Sequence, residues 1–350
     1  MGVSTTATTA GLPDWEPGFT LIVEGKDITA LVAKNLVYLT LTDYGAGEKK
    51  SDELTFAVVD EALKLPAKGV KVTLSLGFGT QRVSKGTFVV DSTASGANAD
   101  SPRIVQVTAR AYSKSAAKGH STLQSQKHRN WTNITLGDLL NTIAQEHGLA
   151  ARIDEALAAK KLTHEDQAGE SDMNLITRLA ARYGAVSKVT HDTWILMPRD
   201  AKKTTKGNDI PVITVTPTQV SRWSYRNNSD YPDSSQKGGG THVIRYHDLT
   251  DGGKIKSITV GSGEPVVHEE VTMFNLEAAQ EIAAGLTTKS KKKLCQMNTE
   301  MPLTPELVNL TAQCRVITKG FGSVEDREWH IGKTQFRISN QGGSLSLELE

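Results

Sequence analysis

The sequence predicts a mainly β protein with an α/β insert, and three observations carry that prediction. Apolar and polar residues alternate along many short runs before residue 111 and again after residue 210. Period-two patterning of this kind marks antiparallel strands with one face on a core. Between those regions, two stretches place apolar residues at helical spacing, with start and stop signals at their ends. Strands that follow one another without helices before the insert point to a sandwich or a barrel. The reading divides the chain into a loose tail (1–13), a first β domain (14–111), a small α/β domain (112–199) and a second β domain (200–350). The last contains one helix, Asn275–Lys293.

Met1 to Pro13 is rich in Thr, Ala and Ser and has almost no large apolar side chain, so it is expected to be a loose tail. From Phe19 onward the pattern is β. Phe19, Leu21 and Val23 alternate, as do Leu54, Phe56 and Val58, then Val70, Val72, Leu74 and Leu76. Phe88 and Val90 follow, and Val105, Val107 and Ala109 complete the region. Gly77, Gly79 and Gly86 punctuate turns.

In the insert, Thr135 reads as an N-cap with Asp138 three residues on. Leu136, Leu139, Leu140, Ile143 and His147 share one helical face, and Gly148 stops the helix. A shorter helix is expected from Asp154 to Lys161. The stretch Gln167 to Tyr183, "QAGESDMNLITRLAARY", is the most fully specified in the chain. Ser171 is a good N-cap and Asp172 places a negative charge in the first turn. Leu175, Ile176, Leu179, Ala180 and Tyr183 form its apolar face, and Gly184 supplies the left-handed stop. A hairpin of Ala185–Thr190 and Thr193–Met197 should follow.

Asp200 to Asn208 reads as a linker. Strands are then expected at Val212–Thr216, Val220–Arg226, His242–His247, Ile255–Val260 and Glu269–Phe274, with a polar loop at Asn227–Thr241. That loop is too polar to pack in a core and is expected to order only on contact with a partner. Asn275 caps a helix with the stripe Leu276, Ala279, Ile282, Ala283 and Leu286. Strands at Val308–Thr318, Trp329–Ser339 and Ser344–Leu349 close the chain.

Lys+Arg 40 against Asp+Glu 39 gives a formal net charge of +1, which argues against a protein built to bind nucleic acid through phosphates. Cys295 and Cys314 are too few for a disulfide framework and fit a reducing compartment. No apolar run is long enough to span a membrane, and no basic start leads into an apolar core. Folding in a cytoplasm, without membrane insertion, is the expectation.

The residues around the second insert helix resemble a known family, the late control D hub proteins of contractile phage tails, with their relatives the VgrG hubs of secretion systems. In that family a Gln leads into an acidic pair, then a helix ending in Arg-Leu and an aromatic-Gly step. Gln167, Glu170, Asp172, Arg178, Leu179, Tyr183 and Gly184 match this pattern. "SDELTFAVVD", Pro66, Gly69 and "GTFVVD" are similar to the family's first barrel, and Trp329 with Ile331, followed by "ISNQGGSLSLELE", to its second. The resemblance implies two tail-tube-like antiparallel β-barrels joined through the α/β domain. It also implies a homotrimer at the baseplate centre that adapts the sixfold tail tube to the threefold spike. The implied partners are the tube protein, the spike protein and other baseplate proteins. DNA would pass through the channel without sequence-specific binding, and the tail would be assembled in the bacterial host cytoplasm. A VgrG-like hub is the alternative. Such hubs usually continue into an OB-fold and a β-spike, whereas this sequence stops at Glu350 just after the second barrel-like region, which favours a phage-like tail.

A different class of function has to be weighed against this. His164, Glu165, Asp166, Glu170 and Asp172 form an acidic cluster from which a cell-wall glycan hydrolase or a metal site could be built. The plainer reading is a solvated lead-in whose carboxylates favour the next helix's N-terminus. On that reading, replacing Glu170 and Asp172 with Ala costs about 1–2 kcal/mol. A glycan-binding β protein would need exposed aromatics, and only 5% of residues are aromatic. His164-Glu165 and His268-Glu269 begin a zinc-protease motif, but Ala168 and Thr272 stand where its second histidine belongs. His242 and His247 sit an odd number apart on an expected strand and face opposite ways. "GFGTQR", Gly77 to Arg82, is followed by a strand rather than a phosphate-cradling helix, so a hairpin turn is expected. Lys289, Lys291, Lys292 and Lys293 suit a helix C-terminus and a solvated face. No catalytic, cofactor or metal constellation emerges, and an interaction protein without enzymatic activity is the expectation.

Overall fold

The structure is a computed structural model. It describes residues 16–45, 51–59, 65–98, 101–111, 122–190, 192–199, 201–205, 207–227, 240–264, 266–270, 272–292 and 295–350. The tail expected at Met1–Pro13, most of the loop Asn227–Thr241 and Lys293 lie outside the described residues, as do the side chains of Lys289, Lys291 and Lys292.

The first β region contains β1 (Pro17–Val23), β2 (Lys26–Asp27), the short helix α1 (Thr29–Lys34), β3 (Leu36–Tyr44), β4 (Glu53–Val59), β5 (Lys71–Phe78), β6 (Gln81–Asn98) and β7 (Ser101–Arg110). The insert follows with β8 (Gln126–Thr135), α2 (Leu136–Glu146), β9 (Ala150–Ile153), α3 (Glu155–Ala158), β10 (Lys161–Ser171), α4 (Asp172–Arg182), β11 (Ala185–Thr190) and β12 (Thr193–Pro198). The remainder comprises β13 (Val212–Val215), β14 (Arg222–Asn227), β15 (Gly240–Asp248), β16 (Lys254–Ser262), β17 (Val266–His268), α5 (Leu276–Lys292), β18 (Cys295–Pro302), β19 (Arg315–Thr318), β20 (Glu328–Ser339) and β21 (Gly342–Leu349). The protein is mainly β with few helices.

The two β regions are one hydrogen-bonded ladder. Its strands run in the order β14-β18-β21-β20-β3-β4-β7-β6-β5-β1-β2, with β19 and β13 branching from β20. The junction is the antiparallel pair β3–β20, from Tyr44↔Lys333 to Leu39↔Ile338. Its core-facing residues Leu39, Leu41, Phe336 and Ile338 belong to one cluster that runs from Phe19 to Leu349. Two findings bear on the sequence-based expectation. Among the described residues the ladder stays open and neither region closes into a barrel. The regions are also joined by direct backbone pairing, not only through the α/β insert.

Alternation explains the strands. Leu21, Leu54, Val72, Leu74, Leu76, Val105 and Val107 are all buried at the alternate positions the sequence marks. "GFGTQR" is the β5–β6 hairpin, with Phe78 opposite Gln81. A Cβ on Gly77 would lie 1.9 Å from the Gln81 carbonyl oxygen, so only glycine fits that close approach. Further along, the register shifts between Leu74 and Ser75, and Gly86 takes a φ of 110° opposite Leu74. The bulge leaves Lys85 as the extra residue, and its Nζ reaches the Leu310 carbonyl at 3.2 Å.

In the insert, Thr135 accepts a hydrogen bond from the Asp138 N–H and Ser171 accepts one from the Asn174 N–H. Gly148 and Gly184 take left-handed φ values of 63° and 60°, as expected of helix stops. The expected helix at Asp154–Lys161 is the shorter α3, capped by Asp154. The polar lead-in to α4 is not a loop but β10, paired with β8. Leu139, Leu140, Ile143, Leu175, Ile176, Leu179, Trp194 and Leu196 give the insert its own core.

The last region departs from expectation in several places, among them β18, where no strand was expected. β15, β16 and β17 pair among themselves and pack under α5 through Ile244, Tyr246 and Ala279, outside the main ladder. The strand expected at Glu269–Phe274 is reduced to an isolated bridge between Tyr246 and Met273. The strand expected at Val308–Thr318 is a short turn of helix at Leu307–Asn309 and then β19. Asn275 caps α5 as expected, its Oδ1 accepting from the Ala278 N–H at 2.8 Å, but Leu276 is exposed.

Two separate large cores make a prediction. Phe336→Ala empties a fully buried site on β20 and is expected to cost about 3–5 kcal/mol, with faster hydrogen exchange in β3 and β21 alike. Leu140→Ala is expected to cost about 2–5 kcal/mol within the insert alone. Loss of β3 protection on Leu140→Ala would contradict independent cores.

Candidate functional site

The charged residues the sequence singled out converge in the insert on a buried carboxylate. Asp172, the first residue of α4, has no exposed surface. Lys127 Nζ donates to its Oδ2 at 2.6 Å, Gln167 Nε2 to Oδ1 at 2.8 Å, and Arg129 Nη2 makes a further close ion pair with Oδ1. His147 Nε2 lies 2.7 Å from Oδ2, and its Nδ1 is 3.0 Å from Thr122 Oγ1. Glu146 closes the group, 2.8 Å from Lys127 and 2.6 Å from Arg129. Gln167 is itself buried. Its Oε1 accepts from Arg129 Nε at 3.1 Å and its amide donates to the Glu170 carbonyl at 2.9 Å.

A second group sits beside it. Arg178, two turns along α4, donates to Glu170 through Nε at 3.1 Å and Nη2 at 2.8 Å, to the Asp166 carbonyl at 3.1 Å, and to buried Glu165. Arg182 Nη1 adds a 2.6 Å bond to Glu165. Burial by itself would raise the carboxyl of Asp172, but hydrogen bonds from Lys127, Gln167 and His147 and the charge of Arg129 outweigh it and hold that carboxyl below the ordinary aspartate value. Glu165 is likewise lowered by Arg182 and Arg178 against its burial. Hydrogen bonds donated to Glu170, then to Glu165, raise Arg178 further above its ordinary value.

This arrangement corrects the reading of these acids as a solvated lead-in, since Glu165 and Asp172 are buried and individually paired. It also bears on the hydrolase alternative. A glycosidase acid needs a raised pKa, and here both buried carboxylates are shifted the other way. Glu146, His147 and Asp172 bring three ligand atoms within 4.8 Å. Lys127 and Arg129 already neutralise those carboxylates, so the group balances its charge without an ion.

Seven of the eight singled-out residues lie in the insert, and Gln167, Glu170, Asp172 and Arg178 are linked by hydrogen bonds. Leu179 is in the insert core, Tyr183 ends α4 and Gly184 makes the stop. Trp329 is elsewhere, buried in the main core with Nε1 donating to Thr318 Oγ1 at 2.9 Å. His242 and His247 hold different partners, Glu269 and the Gly253 carbonyl, as their odd spacing implied. Sequence reasoning missed Lys127, Arg129 and Glu146. The signal was present, because Lys127, Arg129 and Trp131 alternate along β8.

A third buried group docks the insert on the main ladder. Lys188 of β11 places Nζ against Asp43 of β3, 2.9 Å from Asp52 Oδ1 and 2.9 Å from the Tyr44 carbonyl. Asp43 Oδ2 also accepts from the Ala312 N–H at 2.9 Å, and Asp52 Oδ1 from the Tyr44 N–H at 2.9 Å. Burial, reinforced by the neighbouring charge of Asp43, pushes the Asp52 carboxyl up to about 7 against the pull of Lys188. Asp43 stays below its ordinary value because Lys188 and the Ala312 N–H outweigh its burial. Lys85, close enough to feel Asp43, is brought down to about 8 by burial.

Residues 53–276 match the family model described as phage tail baseplate hub (GPD). The chain is 31% identical over 201 residues to the probable baseplate hub protein of Escherichia phage 186, covering 57% of this chain and 50% of that one. It is 24% identical over 367 residues to the probable baseplate hub protein of Escherichia phage P2, covering 95% and 93%. Among solved structures, the 43 kDa tail protein of prophage MuSo2 from Shewanella oneidensis shares the fold. Its TM-score is 0.70 at 15% identity, over 95% of this chain and 98% of that one.

Two predictions follow from the buried groups. Asp172→Ala leaves His147 without its carboxylate and Lys127 and Arg129 sharing Glu146 alone, so the loss is expected to be about 3–5 kcal/mol, larger than for an exposed helix-start carboxylate. With Asp172 and Glu165 depressed, their contribution is present above the unfolded carboxylate values and lost as pH falls through the folded ones. Insert unfolding, followed by Trp fluorescence and hydrogen exchange, should therefore set in below about pH 4. Asp52 has the opposite sign. Its raised value makes the folded state lose stability as pH climbs from the unfolded value through about 7. Asp52→Asn is expected to flatten the melting temperature between about pH 4 and 7; an unchanged slope would contradict the assignment.

Proposed function

We propose, from the premise that this chain belongs to the phage tail baseplate hub family, that it is a non-enzymatic adaptor between the sixfold tail tube and the threefold spike. In this reading three copies form a ring at the baseplate centre, and DNA passes through the ring without being read. The tube protein, the spike protein and other baseplate proteins are its partners, and assembly takes place in the host cytoplasm. In this reading the chain divides at 14–111, 112–199 and 200–350, the last with β15–β17 and α5 as a satellite.

The observation that carries the proposal is the open ladder. Its end strand β14 is exposed along almost its whole length, with Trp223 41% exposed and set edge-on to Phe321 at 5.3 Å. An unpaired edge of this kind is a liability in a lone molecule and an interface in an assembly. Pairing across β3–β20 makes the two β regions move as one, which suits a rigid platform carrying a contact surface at each end. Each region would then be a half-open barrel whose missing edge a neighbour supplies. The signature residues of the insert, in this reading, hold a fold rather than a reaction centre.

Light scattering tests the assembly, on the chain alone and with its spike protein. A homotrimer is expected in at least the spike-bound form, and a stable dimer or tetramer in both would overturn the proposal. Hydrolysis of purified peptidoglycan that is abolished by Glu165→Gln would overturn the non-enzymatic part.

A further inference from the structure

A cleft of about 1050 Å³ separates the insert from α5. Six successive residues of β10, Lys161 to Asp166, line it. Successive side chains of a strand point to opposite faces, so an unbroken run can line a cleft only where the strand turns its backbone edge toward it. Among the described residues β10 has one strand partner, β8, on its other edge. In an antiparallel strand, alternate residues aim N–H and C=O away from the partner. The one contact described for such a group is from Arg178 Nη2 to the Asp166 carbonyl.

The facing wall is built differently. It offers Met273, Ala278 and Phe274, the last 52% exposed, together with Glu277 and Glu281. Glu281 is held by Lys160 across the cleft at 2.8 Å. Glu277 is exposed and has no ion-pair partner among the described residues. The wall therefore suits a chain segment with one apolar and one basic side chain. Because the edge lies inside a cleft, two folded copies cannot bring their β10 edges together, which leaves a lone extended segment as the occupant.

We propose that an extended segment of another tail protein, carrying an apolar residue for Phe274 and a basic residue for Glu277, adds to β10 as a third strand. This rests on the baseplate reading above. Main-chain hydrogen bonds to the edge would supply affinity and the facing wall would select the sequence.

Hydrogen exchange on the full chain, free and within purified tails, tests it. Alternate amides in 161–166 should exchange fast in the free chain and slow by on the order of 100-fold in tails. Phe274→Ala and Glu277→Gln alter only exposed side chains, so each should leave free-chain melting unchanged and weaken the slowing in tails. A chain present in tails with these amides still fast overturns the inference alone. Slowing in the concentrated free chain also overturns it, because a second copy would then be the occupant. A chain missing from purified tails overturns the inference together with the baseplate reading.

Discussion

Backbone pairing between β3 and β20 is where two distant parts of the chain become one object, since Leu39 to Tyr44 must find Lys333 to Ile338 before either β region has a complete core. The pairing puts Leu41 opposite Phe336 and Leu39 opposite Ile338, all buried in the same cluster. A one-residue slip would turn that face to solvent and bring Thr40, Gln335 and Arg337 inward. The apolar pattern therefore fixes the register, and the register fixes how the regions are set against each other. The outward ends of the ladder, β14 on one side and β1 with β2 on the other, are consequences of that junction.

The insert is governed by charge as much as by apolar packing. Its core is ordinary, but the seam between the β8–β10 pair and the two helices is filled by Lys127, Arg129, Glu146, His147, Gln167 and Asp172. Replacing a buried ionic group with apolar residues often costs nothing, whereas removing one member costs several kcal/mol. An alternative packing of the insert would strand one of these charges. Lys188 is the counterpart between bodies. It seats the insert on the main ladder through Asp43 of β3 and Asp52, just before β4.

How much of this could be read from letters depended on what each strand buries. β5 and β7 bury Val and Leu on one face and were plain in the sequence. β18 buries Met297, Thr299 and Met301, and β8 turns Lys127 and Arg129 toward Asp172, so neither has a wholly apolar inner face and neither was foreseen. Local caps and stops were legible because one residue decides each, as with Thr135, Ser171 and Gly184. The pairing partner of β3 was not, since nothing local distinguishes β20 from any other half-buried strand. For the same reason β15 to β17 were assigned to the main β region when they form a separate sheet under α5. Asp172 was found, but its burial depends on cations contributed by β8, some 40 residues earlier in the chain.

A cryo-EM reconstruction of intact tails from the phage that encodes this chain would test the central claim most directly. The account predicts three copies in a ring between tube and spike, with β3 and β20 paired within each copy and β14 pressed against a neighbouring chain. A ring of another order, or copies in which the two β regions have separated at β3–β20, would contradict it.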